Sequence, residues 1–450
     1  MTGNDGLFQV VVRIIGRKAR ILTLGLVAAA LTALHSVPVS AEAVLLVDAA
    51  SGKVLHAENA TYPWYPASLT KLMTTYVTLK AVTEHRISMN SLITVSERAH
   101  AEQPSKMGFP PGTELTVDNA LKMMMVKSAN DMAVTLAEGV AGSVENFALE
   151  MNTTAEQLGM TQTHYDNPNG LPDAGQVTSA RDLAILARAL IHDFPQYDLY
   201  WHISSIKFGK RIYRNLNKLI DRYPGADGMK TGFICASGFN LVASATRNGR
   251  RLIAVVLGAP SSPVRAEKAA QLLESGFNST GTLSWLTPSL GTVDSLQPIS
   301  AAPPNLYDET CGPHRRRPAA EAEDDETNNG DTADGHGIAI SSLQTPKAAS
   351  LIGPLIPSMP PIVVSIVSAH AKAKMASAQG EAPTAKPEQI APRPIANVAP
   401  VLAGATSIRA STFSTTTLAS NPPEAFAPRR FDIRVPVPRP RPHSRFKKHL

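Results

Sequence analysis

Prolines divide this chain. Of the 35, 23 lie after residue 280, where only six of the 24 aromatic residues are found. Aromatic side chains supply much of the apolar area that a core buries, while proline removes backbone donors. A folded domain must therefore lie within the first 280 or so of the 450 residues, although length alone would allow two or three domains. Beyond it come Arg315-Arg316-Arg317, the acidic run Glu321 to Glu326, and long Ala/Pro/Ser/Thr-rich stretches. Such composition cannot bury enough apolar surface to offset its ordering entropy, so residues 313–450 read as a disordered tail. Within it, the apolar patch Leu351 to Val367 is interrupted by Pro354, Pro357, Pro360 and Pro361 and is a poor membrane span. Residues 281–312 form a connecting segment that could pack on the domain.

The N-terminus carries Arg13, Arg17, Lys18 and Arg20, then an apolar run from Ile21 to Leu34, then small residues around Ala41 and Ala43. That order is the pattern of a secretory signal peptide, and the run falls short of the 18 or more residues of a spanning helix. Residues 1–41 are the expected signal, with cleavage after Ala41 or Ala43; an uncleaved anchor is the alternative. Export permits a disulfide between the two cysteines, Cys235 and Cys311, but the sequence leaves a bridge and two free thiols equally open. The net charge of +6 identifies no partner, and nothing points to nucleic acid. The last segment, Arg429 to Leu450, holds eight Arg/Lys against one Asp. It offers a contact for anionic membrane or wall polymer, against the plainer reading of a solvated tail.

Between residues 43 and 280 the pattern is mixed. Ala43 to Asp48 and Val54 to Ala57 read as strands joined at Ser51-Gly52-Lys53, and Leu92 to Val95 as a short strand. One long helical pattern runs from Val117 through the methionine cluster at Met124 to Gly139, and others cover Val144 to Leu158 and Ser179 to Ile191. Asn240 to Ala245 and Arg251 to Gly258 form a hairpin across Asn248-Gly249, and Pro263 to Phe277 is helical. Helices between an early hairpin and a late antiparallel pair predict an α+β fold, with an antiparallel sheet flanked by helices.

Three short motifs carry the chemistry. Ser68 and Lys71 stand three apart at the head of a helix, so their side chains share one face. A serine hydroxyl needs a neighbouring base, and a desolvated lysine can act as one. Alone this is weak, because Ser204 and Lys207 repeat the spacing. Ser128-Ala129-Asn130 follows some sixty residues later, and Lys230-Thr231-Gly232, which occurs once, a further hundred on. The order and spacing of all three make the signal strong.

With Tyr65 to Thr74, Asp166 to Leu171, Asp227 to Phe233 and the first hairpin, the stretch Ala43 to Phe277 resembles the D-alanyl-D-alanine carboxypeptidases, the low-molecular-mass penicillin-binding proteins. The resemblance implies a β-lactamase/transpeptidase-like fold and acyl transfer. Ser68 would attack the carbonyl between the terminal D-alanines of a peptidoglycan stem peptide, Lys71 would take its proton, and Ser128 would relay a proton to the leaving amine. Asn130 would hold the substrate amide. Lys230 and Thr231 would bind the terminal carboxylate, Gly232 belongs to the same motif, and the N–H of Phe233 would complete an oxyanion hole with that of Ser68. β-Lactams would acylate Ser68, no cofactor is required, and the enzyme would work in the periplasm or on the outer face of the cytoplasmic membrane. The 12 histidines show no HExxH spacing, so a zinc peptidase is not indicated. This chain departs from the pattern in having Ala129 where Gly or Asp is usual and Ile234-Cys235 after Phe233. Nothing after residue 280 resembles the second, β-rich domain or terminal anchor of many relatives. Other readings are a D-Ala cross-link endopeptidase using the same residues, a β-lactamase, and a non-catalytic wall-binding scaffold. The β-lactamase reading is disfavoured because Met160 to Asp173 contains no Glu.

Overall fold

A computed structural model of the chain describes residues 42–279, 289–313 and 351–367. The expected signal segment and most of the expected tail lie outside these residues. A hairpin of β1 (Ala43–Asp48) and β2 (Val54–Glu58) leads to a 3-10 turn, Ala67–Leu69, that runs into α1 (Thr70–Thr83). There follow β3 (Leu92–Thr94), α2 (Glu97–Ala101), β4 (Glu114–Thr116), α3 (Val117–Lys127), α4 (Asn130–Ala141), α5 (Val144–Gln157) and α6 (Ala180–Asp193). A small hairpin, β5 (Ser205–Phe208) and β6 (Arg211–Arg214), precedes three long strands, β7 (Ala226–Ile234), β8 (Gly238–Arg247) and β9 (Arg250–Ala259). The remainder is α7 (Ser262–Asn278), α8 (Tyr307–Cys311) and β10 (Ile362–Val363).

The main sheet is antiparallel, in the order β2-β1-β9-β8-β7. The first and last strands of this sheet in sequence meet inside it, because β1 pairs with β9 from Ala43↔Leu257 to Asp48↔Leu252. Both faces are covered. Ala43, Leu45 and Val47 of β1, with Ile253, Val255 and Leu257 of β9, point into a core shared with α1, α3, α4, α5 and α6. Their neighbours Val44, Leu46, Leu252, Ala254 and Val256 point the other way, onto α7. Side chains alternate across a strand, so a one-residue slip would exchange both cores, and that pins the register. Helix α1 is buried on nearly every side, Thr74, Thr75 and Thr78 included, and is a core helix rather than an amphipathic one. Ser143, Ser179 and Ser261 cap α5, α6 and α7 through their side-chain oxygens. At the expected β8–β9 hairpin Asn248 and Gly249 both take positive φ, as a type I′ turn requires.

Two sequence expectations need correction. The helix predicted from Val117 to Gly139 is two helices, because Ser128 takes a left-handed φ of 61° between α3 and α4. Apolar periodicity continues across the break, which is why it is invisible in the pattern. Residues 351–367, expected within a disordered tail, instead lie against the domain. Gly353 N–H donates to the Arg222 carbonyl at 3.0 Å, and Ile356 N–H to that of Asp221 at 2.9 Å. β10 then adds in parallel to β5, pairing Ile362 with Ile206, and Val367 N–H reaches the Glu114 carbonyl at 2.8 Å. Ile362, Val364 and Ile366 face the helical core while Val363 is exposed, a strand-like alternation. Prolines around it restrict the unfolded chain and so lower the cost of ordering a short apolar strip.

The connecting segment also has a defined path. Val293 is buried beside the first hairpin, with its N–H on the Gly52 carbonyl, and Leu306 N–H donates to the Ala236 carbonyl at 2.9 Å. Cys235 and Cys311 form a disulfide, Cα–Cα 5.6 Å. Because Val364 is 2% exposed, Val364→Ala in the full chain is expected to lower stability by about 1.5 kcal/mol, at about 0.8 kcal/mol per buried methylene. Val363→Ala, on the open side of the same strand, is expected to change it by less than about 0.5 kcal/mol in equilibrium denaturation.

Candidate active site

Four chain segments converge at the edge of the sheet. The first is the turn carrying Ser68. Pro66 precedes it and Ala67 has φ 49°, an uncommon conformation for alanine, held because neighbouring backbone presses on it from both sides. Gly170, at φ 84°, lies so close that a Cβ there would stand 1.9 Å from the Ala67 carbonyl oxygen. Gly232 lies on the other side, where a Cβ would meet the N–H groups of Ser68 and Leu69 at 3.1 Å. Strand β7 and the loop before α6 can both approach the serine only through glycine.

One helical turn on, Lys71 is completely buried. Its Nζ is 2.9 Å from Ser68 Oγ, 2.7 Å from Asn130 Oδ1 and 2.6 Å from the Asn169 carbonyl. These three acceptors are uncharged, and burial strips the amine of water. The Asn169 loop is tied to the same helix by Thr74 Oγ1, which donates to the Pro168 carbonyl at 2.6 Å, and by Gln176 Nε2, which donates to Thr70 Oγ1 at 3.0 Å. Gln176 Oε1 also accepts from the N–H groups of Asp166 and Asn167, both at 2.9 Å.

The third segment is the break between α3 and α4. The left-handed Ser128 projects its hydroxyl to Lys230 Nζ, which donates to it at 3.0 Å, and Asn130 opens α4 with its amide on Lys71. Asn130 Nδ2 donates to the Gln103 carbonyl and its N–H to that of Ser105. Beneath them the buried Asp131 accepts from Met107, Gly108 and Met132 N–H groups. Burial pushes its carboxyl above the ordinary range despite those three bonds. The fourth segment is β7, the edge strand, with Lys230 and Thr231 nearly inaccessible. Thr231 Oγ1 is buried without a hydrogen-bond partner among the described residues, an unspent polar atom at the centre of the site.

A cavity of about 440 Å³ opens over these groups. Ser68, Ser128 and Asn130 line its polar side, and Leu171, Phe233 and Tyr307 much of the rest. All eight residues expected from the motifs, Ser68, Lys71, Ser128, Asn130, Lys230, Thr231, Gly232 and Phe233, belong to this one neighbourhood. The second Ser-x-x-Lys match does not: Lys207 lies on β5, a strand, where an odd separation sends side chains to opposite faces. Asn169, within the Asp166 to Leu171 stretch, belongs to the site through its backbone, whose carbonyl is a direct acceptor from Lys71. Glu102 and Tyr307 carried no signal of their own in the sequence. Glu102 accepts from Asn169 Nδ2 at 3.0 Å, and burial raises its pKa against the opposing pull of Asn169, Arg98 and Lys71.

The sequence profile of the D-alanyl-D-alanine carboxypeptidase family matches residues 30–261, just over half of the chain. The chain belongs to that family. This carboxypeptidase-family chain is similar to the D-alanyl-D-alanine carboxypeptidase DacC of Escherichia coli, with 40% identity over 257 residues, 56% of this chain and 64% of the relative. With DacD of Salmonella typhimurium the identity is 39%, over 55% and 65% of the two chains. Its fold is similar to that of penicillin binding protein 6B from Escherichia coli, with TM-score 0.51 and 38% identity over 54% of this chain and 81% of that one. DacD from Francisella tularensis gives the same TM-score at 31% identity, covering 54% and 71%. The chain spans just under two thirds of the length of the curated relatives named here.

Gly232→Ala is expected to push the Ser68 turn and β7 apart by a few tenths of an ångström. The fold should survive, with a small change in melting temperature, while acylation of Ser68 by a fluorescent penicillin slows about tenfold or more, since small misplacements of a nucleophile are costly.

Proposed function

We propose that this chain is a serine-type D-Ala-D-Ala carboxypeptidase, which removes the terminal D-alanine of peptidoglycan stem peptides through an acyl-enzyme on Ser68. The observation that carries the reading is the fully buried Lys71 with its Nζ 2.9 Å from Ser68 Oγ. Burial penalises the charged form of the amine, so that it can take the serine proton as Oγ attacks. Ser128, held by Lys230, passes a proton to the departing amine. Lys230 and the unpartnered Thr231 hydroxyl meet the carboxylate of the substrate, and Asn130 orients its amide. The N–H groups of Ser68 and Phe233 form the oxyanion hole, whose donors are typically worth about 3–4 kcal/mol each in acyl-transfer enzymes. Water then releases the shortened peptide.

The same groups would open the ring of a β-lactam, and no carboxylate is among the described residues lining the cavity. Glu102, the carboxylate bound to Asn169 Nδ2 beside this site, does not line the cavity, which supports a long-lived penicillin adduct over the turnover that a Glu gives class A β-lactamases. Cutting of D-Ala cross-links would use the same residues. The Cys235–Cys311 disulfide supports an exported, oxidising location, in line with the signal-like N-terminus, which lies outside the described residues. Among the described residues no helix is long and apolar enough to cross a membrane. The role of the basic C-terminal segment in wall or membrane contact stays a proposal on charge alone.

The purified protein, incubated with a fluorescent penicillin and with a pentapeptide ending in D-Ala-D-Ala, is expected to give a covalent adduct by intact mass and to release D-alanine. Ser68→Ala should abolish both; a folded wild type giving neither would overturn the enzyme reading in favour of a scaffold. Glu102→Gln removes a negative charge that favours the protonated form of Lys71. The acid limb of the acylation pH profile is therefore expected to move to lower pH.

A further inference from the structure

Helix α8 is held at the rim of the catalytic cavity by a covalent bond. The disulfide joins Cys311, at the end of α8, to Cys235, in the turn that follows β7, and Leu306 N–H donates to the Ala236 carbonyl at 2.9 Å. Leu306 and Thr310 are buried beneath the helix, whereas Tyr307 is 47% exposed and lines the cavity. A large aromatic kept half in solvent, on a segment fixed by a disulfide and a backbone bond, has area to offer a ligand and little freedom to lose on binding.

Direction along β7 says which part of a ligand it would meet. β7 is an edge strand, paired only with β8 among the described residues, so an extended peptide can lie along its open side. Gly232 marks the level of Ser68, with the cationic Lys230 on one side. The carboxylate-bearing end of a substrate belongs there. Its other end must run past Phe233 and Ile234 toward Cys235, Ala236 and Tyr307. The strand from Gly232 to Ile234 covers about 7 Å before the turn at Cys235, roughly two residues of an extended ligand with the turn beyond it.

We propose that Tyr307 is a specificity-determining residue of this site, which packs against the peptide two to three residues upstream of the scissile bond, and that the Cys235–Cys311 bridge is what keeps it there. The proposal rests on the carboxypeptidase reading. It makes stem length, rather than the terminal D-Ala-D-Ala alone, the quantity that α8 measures. In this role Tyr307 is a contact for the peptide and takes no part in proton transfer.

Steady-state hydrolysis is to be measured on acetyl-D-Ala-D-Ala, which ends short of α8, and on a pentapeptide with the same C-terminus. The proteins are wild type, Tyr307→Ala, Tyr307→Phe and the double variant Cys235→Ser/Cys311→Ser. Tyr307→Ala should raise KM for the pentapeptide about tenfold, in keeping with loss of one aromatic contact, with kcat for it and both constants for the short substrate within about twofold. Tyr307→Phe should retain most of the pentapeptide preference, and the double variant should lose it as Tyr307→Ala does. Equal losses on both substrates, or none on the pentapeptide, would overturn the role given to Tyr307. A double variant that keeps the full preference would overturn the role given to the bridge. Failure of the wild type to cleave either peptide would remove the carboxypeptidase reading, and this proposal with it.

Discussion

The buried amine of Lys71 is the point on which the site depends. It belongs to the core helix α1, yet its hydrogen bonds go to Asn130 at the head of α4 and to the Asn169 carbonyl of a loop nearly a hundred residues away. A desolvated amine is costly unless satisfied, and satisfying it fixes three segments of chain against one another. The polar threonines of α1 extend that role: Thr70 and Thr74 hold the loop that delivers Asn169 and Gly170. Polar groups inside an otherwise apolar helix thus organise the cleft, and each has a partner to justify its burial.

Much of this was legible in advance. Three motifs in order, with two hairpins and their intervening helices, were enough to expect the fold and the residues that meet at the cleft. What local pattern could not show is where the backbone departs from regular geometry. The break at Ser128 leaves the apolar rhythm of Val117 to Gly139 intact, so periodicity reads one helix where there are two. Asn169 contributes a carbonyl, which every residue has and no side-chain motif encodes. Glu102 and Tyr307 reach the site from distant segments, and a pairing of Cys235 with Cys311 was the only hint that residues near 307 lie by the cleft. The strip 351–367 was obscured by its prolines: composition over a long tail averages away a short alternation such as Ile362, Val364 and Ile366.

The segments beyond α7 share one property. Residues 289–313 run from the first hairpin to the turn after β7, and residues 351–367 touch the Asp221–Arg222 loop, the β5 edge and β4 in succession. Each connects parts of the domain that are far apart in sequence. Contacts of high sequence separation close large loops, so each of these segments ties together parts that local structure alone would leave unconnected. Chain that is too poor in aromatic residues to make its own core can still brace one that already exists.

An open β7 has a further consequence. A strand at the end of a sheet presents a template on which another chain could pair, and proteins usually blunt such edges with charge, bulges or cover. Here the edge faces the Ser68 turn at Gly232, and its far end closes in the turn bridged to α8. Only a few residues of strand lie between Gly232 and that turn, which limits how much of another chain could pair there. Under the proposed function, protection against aggregation and recognition of a peptide would fall to the same strand.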